Sequence, residues 1–493
     1  METKLDWRKL LNDERLGVKK PYNLDEYYNA FEMDYQTIIN SSAFRRLQDK
    51  TQVFPLDTND FIRTRLTHSL ETSFIAKKLG NMVIYNMKTK RKKGSIQYED
   101  YYKYSDILCY IPDILSCAGL LHDMGNPPFG HFGEVIIGEW FRENLKTLTI
   151  QEIPVYQYEN GKKMGILNKQ EYLDLSNFEG NAQVLRVVSY LYKSQERKGM
   201  NLTVALLGSL IKYPIPSVDV NKNNYKKFGY FKADEELFNQ IINKTGQKIQ
   251  DKVCRHPLVY LLEAADDIAY LTADIEDAIK KGIISFEAFK KFYEKQVFSY
   301  KQTLSSNNES HVEALAKTII CAQENVDQEI VLKKWLNKTR ELLMNCAAYS
   351  FVKNYKEIMS GNFHSDLFEG TFHEETIKIL RNLAIQFIFP NKNIMKVEIS
   401  GSVIINSLLN KFIPAILKYD YADQVKMTKE EQKLIKILPE EYLEFYHQAA
   451  STLETQNSED IKLYLRLLLV ADFISGMTDS YAKRLYCELN GLK

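Results

Sequence analysis

The stretch from Cys117 to Glu134 constrains the fold of this chain more than any other. It begins as an apolar segment at helical spacing and carries His122 and Asp123 at its end. A glycine and two consecutive prolines follow, and proline cannot continue a helical hydrogen-bond ladder, so the helix must end there. A glycine-rich turn then leads to His131, with Glu134 close behind. The sequence predicts two titratable pairs around a rigid turn, which is typical of an active site.

A His-Asp dipeptide alone usually marks a helix end with satisfied side chains, so support must come from elsewhere in the chain. In the apolar helix predicted after His256, the residues Asp266, Tyr270 and Asp274 fall four apart on one stripe. The other faces are mostly apolar, which predicts a largely buried helix. Burying an unpaired carboxylate costs several kcal/mol or more. This favours a metal or cation partner for Asp266 over a solvated position.

A third helix is predicted to carry Arg65 and His68, which are three residues apart and so share one face. A lone helical histidine is more often structural than a ligand. An arginine on an otherwise apolar helix, however, needs an anion beside it, and this strengthens the functional interpretation.

These segments together supply a metal-binding set of two imidazoles and two carboxylates: His68, His122, Asp123 and Asp266. Divalent cations accept such mixed ligands and can activate water against a phosphate. The His131–Glu134 pair is suited to general acid–base catalysis.

Three cations, Arg65, Lys212 and Lys227, are more than a phosphate monoester needs and suit a polyphosphate. Each lysine also has an ordinary explanation. Lys212 is predicted on the last turn of a helix, where the dipole favours a cation. Lys227 lies in a loop that is either surface or a cover for phosphates.

Bulk properties limit the remaining possibilities. With 493 residues the chain exceeds a single core, and 65 Lys plus Arg balance 64 Asp plus Glu, so overall charge indicates no partner. Six separated cysteines without a Cys-x-x-Cys pair favour reduced thiols over a disulfide framework or zinc knuckle. No signal region or apolar run near the roughly 20 residues of a membrane span is evident, so a soluble, cytoplasmic protein that binds no membrane is expected. The basic run from Lys88 to Lys93 is either a solvated loop or a site for nucleic acid or a regulatory nucleotide.

The periodicity predicts an all-α fold. Residues 1–282 are expected to form a catalytic core with an N-terminal extension, and residues 283–493 a helical C-terminal region that packs on the core and on neighbouring subunits. Residues 150–176 alternate more and predict a small excursion with a hairpin. A helix over Val403 to Leu417 should kink or break at Pro414. Arg466 and a nearby aspartate in an apolar final segment suggest a polar packing partner, for which a neighbouring subunit is the candidate.

The chain resembles the HD phosphohydrolase superfamily, whose ligand pattern is a histidine, a His-Asp pair and a distant aspartate. Within that superfamily, three motifs resemble those of the deoxyguanosine triphosphate triphosphohydrolases. They are His-Asp-x-Gly-x-Pro-Pro-Phe-Gly-His-x-Gly-Glu, Asn-Phe-Glu-Gly-Asn-Ala-Gln and Glu-Ala-Ala-Asp-Asp-Ile-Ala-Tyr. The match covers about residues 40–280 and a Gly-Met-Thr-Asp segment near the C-terminus.

The resemblance implies a reaction of dNTP and water that gives deoxynucleoside and intact triphosphate, with Mg²⁺ or Mn²⁺. It implies metal binding by His68, His122, Asp123 and Asp266, and catalysis by His131 and Glu134 beside the α-phosphate. It also implies substrate contacts, with Gln52 and Val53 at the sugar 3′-hydroxyl, cations on the triphosphate, Asp274 near the sugar, and Arg466 reaching a neighbouring subunit's site. The implied substrate-binding set is Gln52, Val53, Arg65, Asn181, Lys212, Lys227, Tyr270, Asp274 and Arg466. Family members are commonly homo-oligomers, often hexamers, and some bind single-stranded DNA or an effector nucleotide.

Two other functions remain open from the residues. A different HD phosphohydrolase, such as a nucleotide phosphomonoesterase or a cyclic-nucleotide diesterase, would use the same metal ligands. The second acid–base pair and the surplus of cations argue against it. A regulator that binds nucleotide or nucleic acid without catalysis would be expected to have lost a ligand or His131, and none is missing.

Overall fold

The computed structural model describes residues 4–16, 28–54, 61–89, 93–159, 161–194, 197–220, 225–301, 315–319, 327–421, 425–451 and 458–492. Within these ranges the chain is helical with only two-residue strands, which confirms the all-α prediction. The first helices are α1 (Trp7–Leu10), α2 (Ala30–Asn40), α3 (Ser42–Arg46), α4 (Arg65–Thr89), α5 (Ile96–Lys103), α6 (Ser105–Leu108), α7 (Ile111–Leu121) and α8 (Gly130–Asn144).

The predicted excursion after α8 contains two hairpins and a short helix. The first hairpin pairs β1 (Thr149–Ile150) with β2 (Ile153–Pro154), and the second pairs β3 (Tyr158–Glu159) with β4 (Lys162–Lys163). The next elements are α9 (Lys169–Ser176), α10 (Gly180–Arg186), a π-helical turn (Val187–Leu191), β5 (Lys193–Ser194), β6 (Arg197–Lys198), α11 (Val204–Leu210), α12 (Glu235–Thr245), β7 (Lys248–Ile249), β8 (Lys252–Val253) and α13 (Pro257–Lys280). Short 3₁₀ turns cover Leu47–Asp49, Ser217–Asp219 and Lys232–Asp234.

The C-terminal region consists of helices. They are α14 (Phe286–Lys301), α15 (residues 315–319), α16 (Gln328–Lys353), α17 (Tyr355–Met359), α18 (Glu374–Leu383) with a π-helical turn (Ala384–Ile388), α19 (Lys392–Lys418), α20 (Lys429–Ile435), α21 (Glu440–Ser451), α22 (Ser458–Ser475) and α23 (Asp479–Leu489). The helix α19 runs through Pro414 without a break, so the predicted break is wrong, while a kink at this position stays a prediction. Helices of this region pack on α4, α8 and α13, but the division at residue 282 stays a prediction.

By length and composition α19 could cross a membrane, although half of its most apolar stretch is buried inside the protein, as in a core helix. The bent pair of α5 with the helical stretch from Ser105 to Leu121 passes the same test only if it is counted as one span. Five cysteines are free thiols, and Cys321 lies outside the described residues. The centre of the basic run at 90–92 also lies outside them, so its two interpretations stay open.

The helices α4, α7 and α13 form the layer that holds the predicted ligands. Close approach of α4 and α7 depends on Gly119, because a Cβ at this position would lie 2.5 Å from the Ser73 Cα. Any larger side chain would therefore separate the two helices and the histidines that they carry. The apolar residues of α7 from Ile111 to Leu121 are buried, as the sequence predicts.

The N-terminus of helix α13 is capped by a side chain. The His256 side chain caps it by accepting the Leu258 N–H, and Pro257 occupies the first turn, where its missing N–H costs nothing. The other ring nitrogen of His256 donates to the Leu10 carbonyl at 3.0 Å. Both ring nitrogens are thus engaged in the neutral form, and the imidazole is fully buried.

This cap predicts an acid-sensitive fold. Burial lowers the pKa of His256 to about 4, from an unfolded value near 6.5. The folded state therefore disfavours protonation, so this contribution is complete above pH 6.5 and is lost as the pH falls toward 4. We expect the free energy of unfolding to fall by up to about 3 kcal/mol from this group over that range. Urea unfolding across pH checks this, because His256→Asn keeps a capping oxygen and should flatten the slope; an unchanged slope would contradict it.

The C-terminal region is tied to the core by a buried ionic cluster. Arg186 donates to Asp472 at 2.6 and 2.9 Å and to Asp234 at 2.8 Å, and Gln183 donates to Asp472 at 2.8 Å. These groups are at most 1% exposed. The polar partner predicted for the carboxylate in α22 is therefore in the same chain, not in a neighbouring subunit.

Candidate functional site

Three predicted metal ligands converge where α4, α7 and α13 meet. One ligand atom each from His68, His122 and Asp266 lies within 4.8 Å of the others. Asp266 Oδ1 is 3.1 Å from His68 Nε2 and 3.3 Å from His122 Nε2. Both imidazoles are buried, whereas the Asp266 side chain is 23% exposed, so the cluster opens on one side.

The donor atoms fit a cation. His122 Nδ1 donates to the Gly119 carbonyl at 2.8 Å, which leaves the Nε2 lone pair facing the cluster without a hydrogen-bond partner among the described residues. This second-sphere hydrogen bond is typical of metal-binding histidines. Burial by itself lowers the pKa of His122, but the Asp123 and Asp266 carboxylates outweigh it and raise the pKa. The cluster therefore attracts positive charge, as a proton or as a metal ion.

The fourth predicted ligand, Asp123, adjoins this cluster. Its Oδ2 lies 3.6 Å from His122 Nε2 and 3.8 Å from His68 Nε2, and it pairs with Arg65 at 2.5 Å. The Asn126 side-chain amide donates to its other oxygen at 2.7 Å. Burial raises the pKa of Asp123, but Arg65 and the two imidazoles outweigh burial and lower it. A metal ligand at this position would share its carboxylate with the arginine.

The predicted turn after the prolines delivers His131 at the start of α8. His131 Nδ1 lies 3.0 Å from Glu134 Oε2, one helical turn later. Glu134 Oε1 accepts the Gly180 N–H at 2.9 Å, so the carboxylate is anchored from α10 as well. The hydrogen bond to Glu134 raises the pKa of His131, while the imidazole itself is 73% exposed. This geometry leaves Nε2 of an oriented, accessible imidazole free to accept or donate a proton.

Two lysines flank these groups. Lys212 Nζ lies 3.6 Å from Asp266 Oδ2, and Lys227 Nζ lies 2.9 Å from Glu179 Oε2 and 3.8 Å from Glu134 Oε2. Lys212 follows α11, which ends two residues earlier, so its predicted place on the last helical turn is wrong. His131, Glu134 and Lys227 share a cleft of about 810 Å³. One cation, Lys212, thus lies beside the His68–His122–Asp266 ligand cluster, and the other, Lys227, lies beside the acid–base pair.

The other residues predicted to bind the substrate have no described hydrogen bonds to the metal-ligand cluster or to the acid–base pair. The helix α13 places Tyr270 and Asp274 on the stripe of Asp266 as predicted, and burial raises the pKa of both. The Gln52 side-chain oxygen is buried without a hydrogen-bond partner among the described residues, and Val53 packs partly against the core. Asn181 donates to the Glu179 carboxylate.

Arg466 is enclosed by its own chain. It is fully buried in α22 and donates from Nη1 to the Tyr419 carbonyl at 2.7 Å, with Glu459 at 3.8 Å. It stacks over the Tyr421 ring at 5.5 Å. The structure therefore brings Arg466 into a C-terminal cluster and gives it no described contact with the metal cluster, and its predicted role across subunits stays a prediction.

Sequence reasoning missed four residues around the site, three of which lie inside the motifs quoted above. Asn126 orients Asp123, and Glu179 holds Lys227. Lys50 and Asp479 bind the turn before His131. Charge and helical period alone cannot identify Lys50, Glu179 or Asp479, because their partners are backbone groups or side chains distant in sequence, and Asn126 is an uncharged residue in a turn. The only available signal was the position of three of them within unusual motifs.

Comparison with known proteins agrees with this geometry. Residues 65–153 match the HD domain, which is a metal-dependent fold, and residues 416–488 match the phosphohydrolase-associated domain. The first range contains three predicted ligands and the His131–Glu134 pair. The second contains Asp472 and Asp479.

Full-length relatives extend the match to nearly the whole chain. A deoxyguanosinetriphosphate triphosphohydrolase-like protein of Listeria innocua is 46% identical over 99% of this chain and all of its own length. A deoxyguanosinetriphosphate triphosphohydrolase of Cronobacter sakazakii is 31% identical over 99% of each, and one of Salmonella typhimurium is 30% identical over 97% of this chain and 96% of its own. With its HD-domain ligand cluster, the chain belongs to the deoxyguanosinetriphosphate triphosphohydrolase family of HD-domain phosphohydrolases.

Proposed function

We propose that this protein is a metal-dependent dNTP triphosphohydrolase, with dGTP as the expected substrate and deoxyguanosine and intact triphosphate as products. The observation that carries the proposal is the position of the His131–Glu134 pair and three cations around a cluster of imidazoles and carboxylates. Relatives named for dGTP hydrolysis support the substrate class.

His68, His122, Asp123 and Asp266 would hold the Mg²⁺ or Mn²⁺ ion. The unpartnered Nε2 of His122 and the adjoining carboxylates fit this assignment. When bound, the ion would acidify water and neutralise charge on the phosphate.

The protein's own side chains would then divide the remaining work. Arg65, Lys212 and Lys227 would hold the triphosphate, with Arg65 suited to paired hydrogen bonds on phosphate oxygens. His131 would exchange a proton at Nε2 with the attacking water or the leaving 5′-oxygen, and Glu134 would orient the imidazole through Nδ1. Tyr270, Asp274, Gln52, Val53 and Asn181 are proposed to line the nucleoside pocket.

We also propose a cytoplasmic homo-oligomer in which Arg466 acts near a neighbouring subunit's site, and an effector that is a nucleotide or single-stranded DNA. These parts rest on the resemblance alone. A phosphomonoesterase or a cyclic-nucleotide diesterase with the same ligands remains the second candidate. The cations around the site favour a triphosphate over either.

Incubation of the purified protein with each of the four dNTPs and with GTP, in Mg²⁺ and then in Mn²⁺, tests the proposal by ion-exchange analysis of products. We expect deoxyguanosine and triphosphate from dGTP and no reaction with GTP. Turnover of all four dNTPs would keep the reaction and remove the guanine preference. Free phosphate or a nucleoside monophosphate as the first product would refute it, as would inactivity that added nucleotides and single-stranded DNA do not relieve.

A further inference from the structure

The residue before α8, the helix that carries His131 and Glu134, has a left-handed backbone conformation. Phe129 has φ 63° and ψ 18°, and the next residue, Gly130, has φ 62°. A non-glycine residue in the left-handed region is sterically unfavourable and persists only where its surroundings hold it. His131 follows directly, so whatever holds this turn also sets where the imidazole stands.

The turn is held on several sides. The Phe129 N–H donates to Asp479 Oδ1 at 2.9 Å. The Phe129 ring lies against Gly401 of α19, where a Cβ would be 2.7 Å from the ring. A Cβ on Gly130 would lie 2.8 Å from Arg65 Nη2, so a side chain there would displace the guanidinium. Two of these supports, Asp479 and Gly401, come from the C-terminal region.

Both carboxylate oxygens of Asp479 accept hydrogen bonds from residues of the core. Its Oδ2 accepts the Thr51 N–H at 3.1 Å and the Thr51 hydroxyl, and the residue is 2% exposed. The adjacent Lys50 ammonium donates to the Asn126 carbonyl at 2.5 Å and to the Ser475 carbonyl at 2.8 Å. One carboxylate therefore joins three segments that are far apart in sequence.

Helix capping does not explain this carboxylate. The N-cap of α23 is Thr478, whose side chain accepts the Tyr481 N–H, so the helix start is satisfied without Asp479. Both Asp479 oxygens are instead directed at the turn and at Thr51.

We infer that Asp479 is a positioning residue for the proposed reaction, since it fixes the left-handed Phe129–Gly130 turn and with it the place of His131. The inference rests on the proposed roles of His131 and Glu134. Glu134 is anchored separately by the Gly180 N–H, so release of the turn moves His131 relative to its partner. A displacement of about 1 Å at a reacting group can cost 10²-fold in rate.

Two variants disturb the turn from opposite sides. Three groups donate to the Asp479 carboxylate: the Thr51 N–H, the Thr51 hydroxyl and the Phe129 N–H. In Asp479→Asn one carboxylate oxygen becomes an amide NH₂, which cannot accept a hydrogen bond and therefore faces a donor. Gly401→Ala adds a methyl group against the Phe129 ring, while alanine has the higher helix propensity, so α19 itself should not be weakened. Ser480→Ala is the matched control, since this neighbour is exposed and its hydroxyl, among the described residues, donates to Asp49 at 2.8 Å.

The test combines kinetics with a readout that needs no turnover. We expect both variants to lower kcat about 10²-fold with KM and metal affinity nearly unchanged. In ¹³C-histidine NMR titrations the pKa of His131, raised by Glu134 in the wild type, should fall toward 6.5 in both variants and stay in Ser480→Ala. Wild-type kcat and an unmoved His131 titration in both variants would overturn the inference. A wild type that forms no triphosphate would instead refute the proposed function, while the titration would still decide whether Asp479 positions His131.

Discussion

Asp266→Ala is expected to abolish metal binding and turnover together. Asp266 Oδ1 stands 3.1 and 3.3 Å from the two imidazole Nε2 atoms, and Lys212 lies 3.6 Å from its other oxygen. Burial raises the pKa of this carboxyl, but His122, His68 and Lys212 outweigh burial and lower it well below its ordinary value, so it is ionised at neutral pH. Alanine removes the charge that binds the cation and leaves Lys212 to repel it.

Calorimetric titration with Mn²⁺, alongside a triphosphate assay, measures both effects. The adjacent Asp267→Asn is the control. Its carboxylate pairs with Arg381 at 3.2 Å and belongs to no described ligand group, so metal binding should persist. Full activity in Asp266→Ala would remove this residue from the ligand set.

His131→Ala is expected to leave metal and substrate bound while lowering kcat by roughly 10²–10⁴, the usual contribution of general acid–base catalysis. The imidazole is exposed, and its described ion-pair partner is Glu134 rather than the metal cluster, so its loss should not disturb the ligands.

Glu134→Gln separates orientation from proton transfer. It keeps an oxygen toward the Gly180 N–H and removes the charge that raises the pKa of His131. The limb of the pH–rate profile that belongs to His131 should therefore move to lower pH, with a smaller loss of kcat than in His131→Ala. For the His131→Ala variant of the preceding prediction, a loss of metal binding as large as the loss of rate would mean that His131 binds or supports the metal ligands and does not transfer the proton.

The all-α fold and the convergence of the ligand residues were predictable because they follow from strong local signals. Apolar residues at helical spacing place His122 at the end of α7 and Asp266 in the middle of α13, and the two prolines place the turn. Since a buried carboxylate needs a partner, the sequence also predicted that Asp266 would meet cationic groups.

The failures have equally physical causes. Pro414 does not break α19: its neighbours Phe412, Ile413 and Ala415 are buried, and tertiary packing supplies most of the stability of a helix in a protein. Asp472 pairs with Arg186 across 286 residues, and Asp479 meets Phe129 across 350, so no local pattern could reveal either contact. Tertiary pairing of this kind depends on the whole fold rather than on the spacing of nearby residues.

The position of bond cleavage tests the central claim most directly. Purified protein would be given dGTP labelled with ³²P at the α-phosphate in H₂¹⁸O, and the products separated and weighed by mass spectrometry. The account predicts that the ³²P label and one ¹⁸O atom both appear in intact triphosphate, beside unlabelled deoxyguanosine. Label in deoxyguanosine monophosphate, or ¹⁸O only in free phosphate or pyrophosphate, would contradict it.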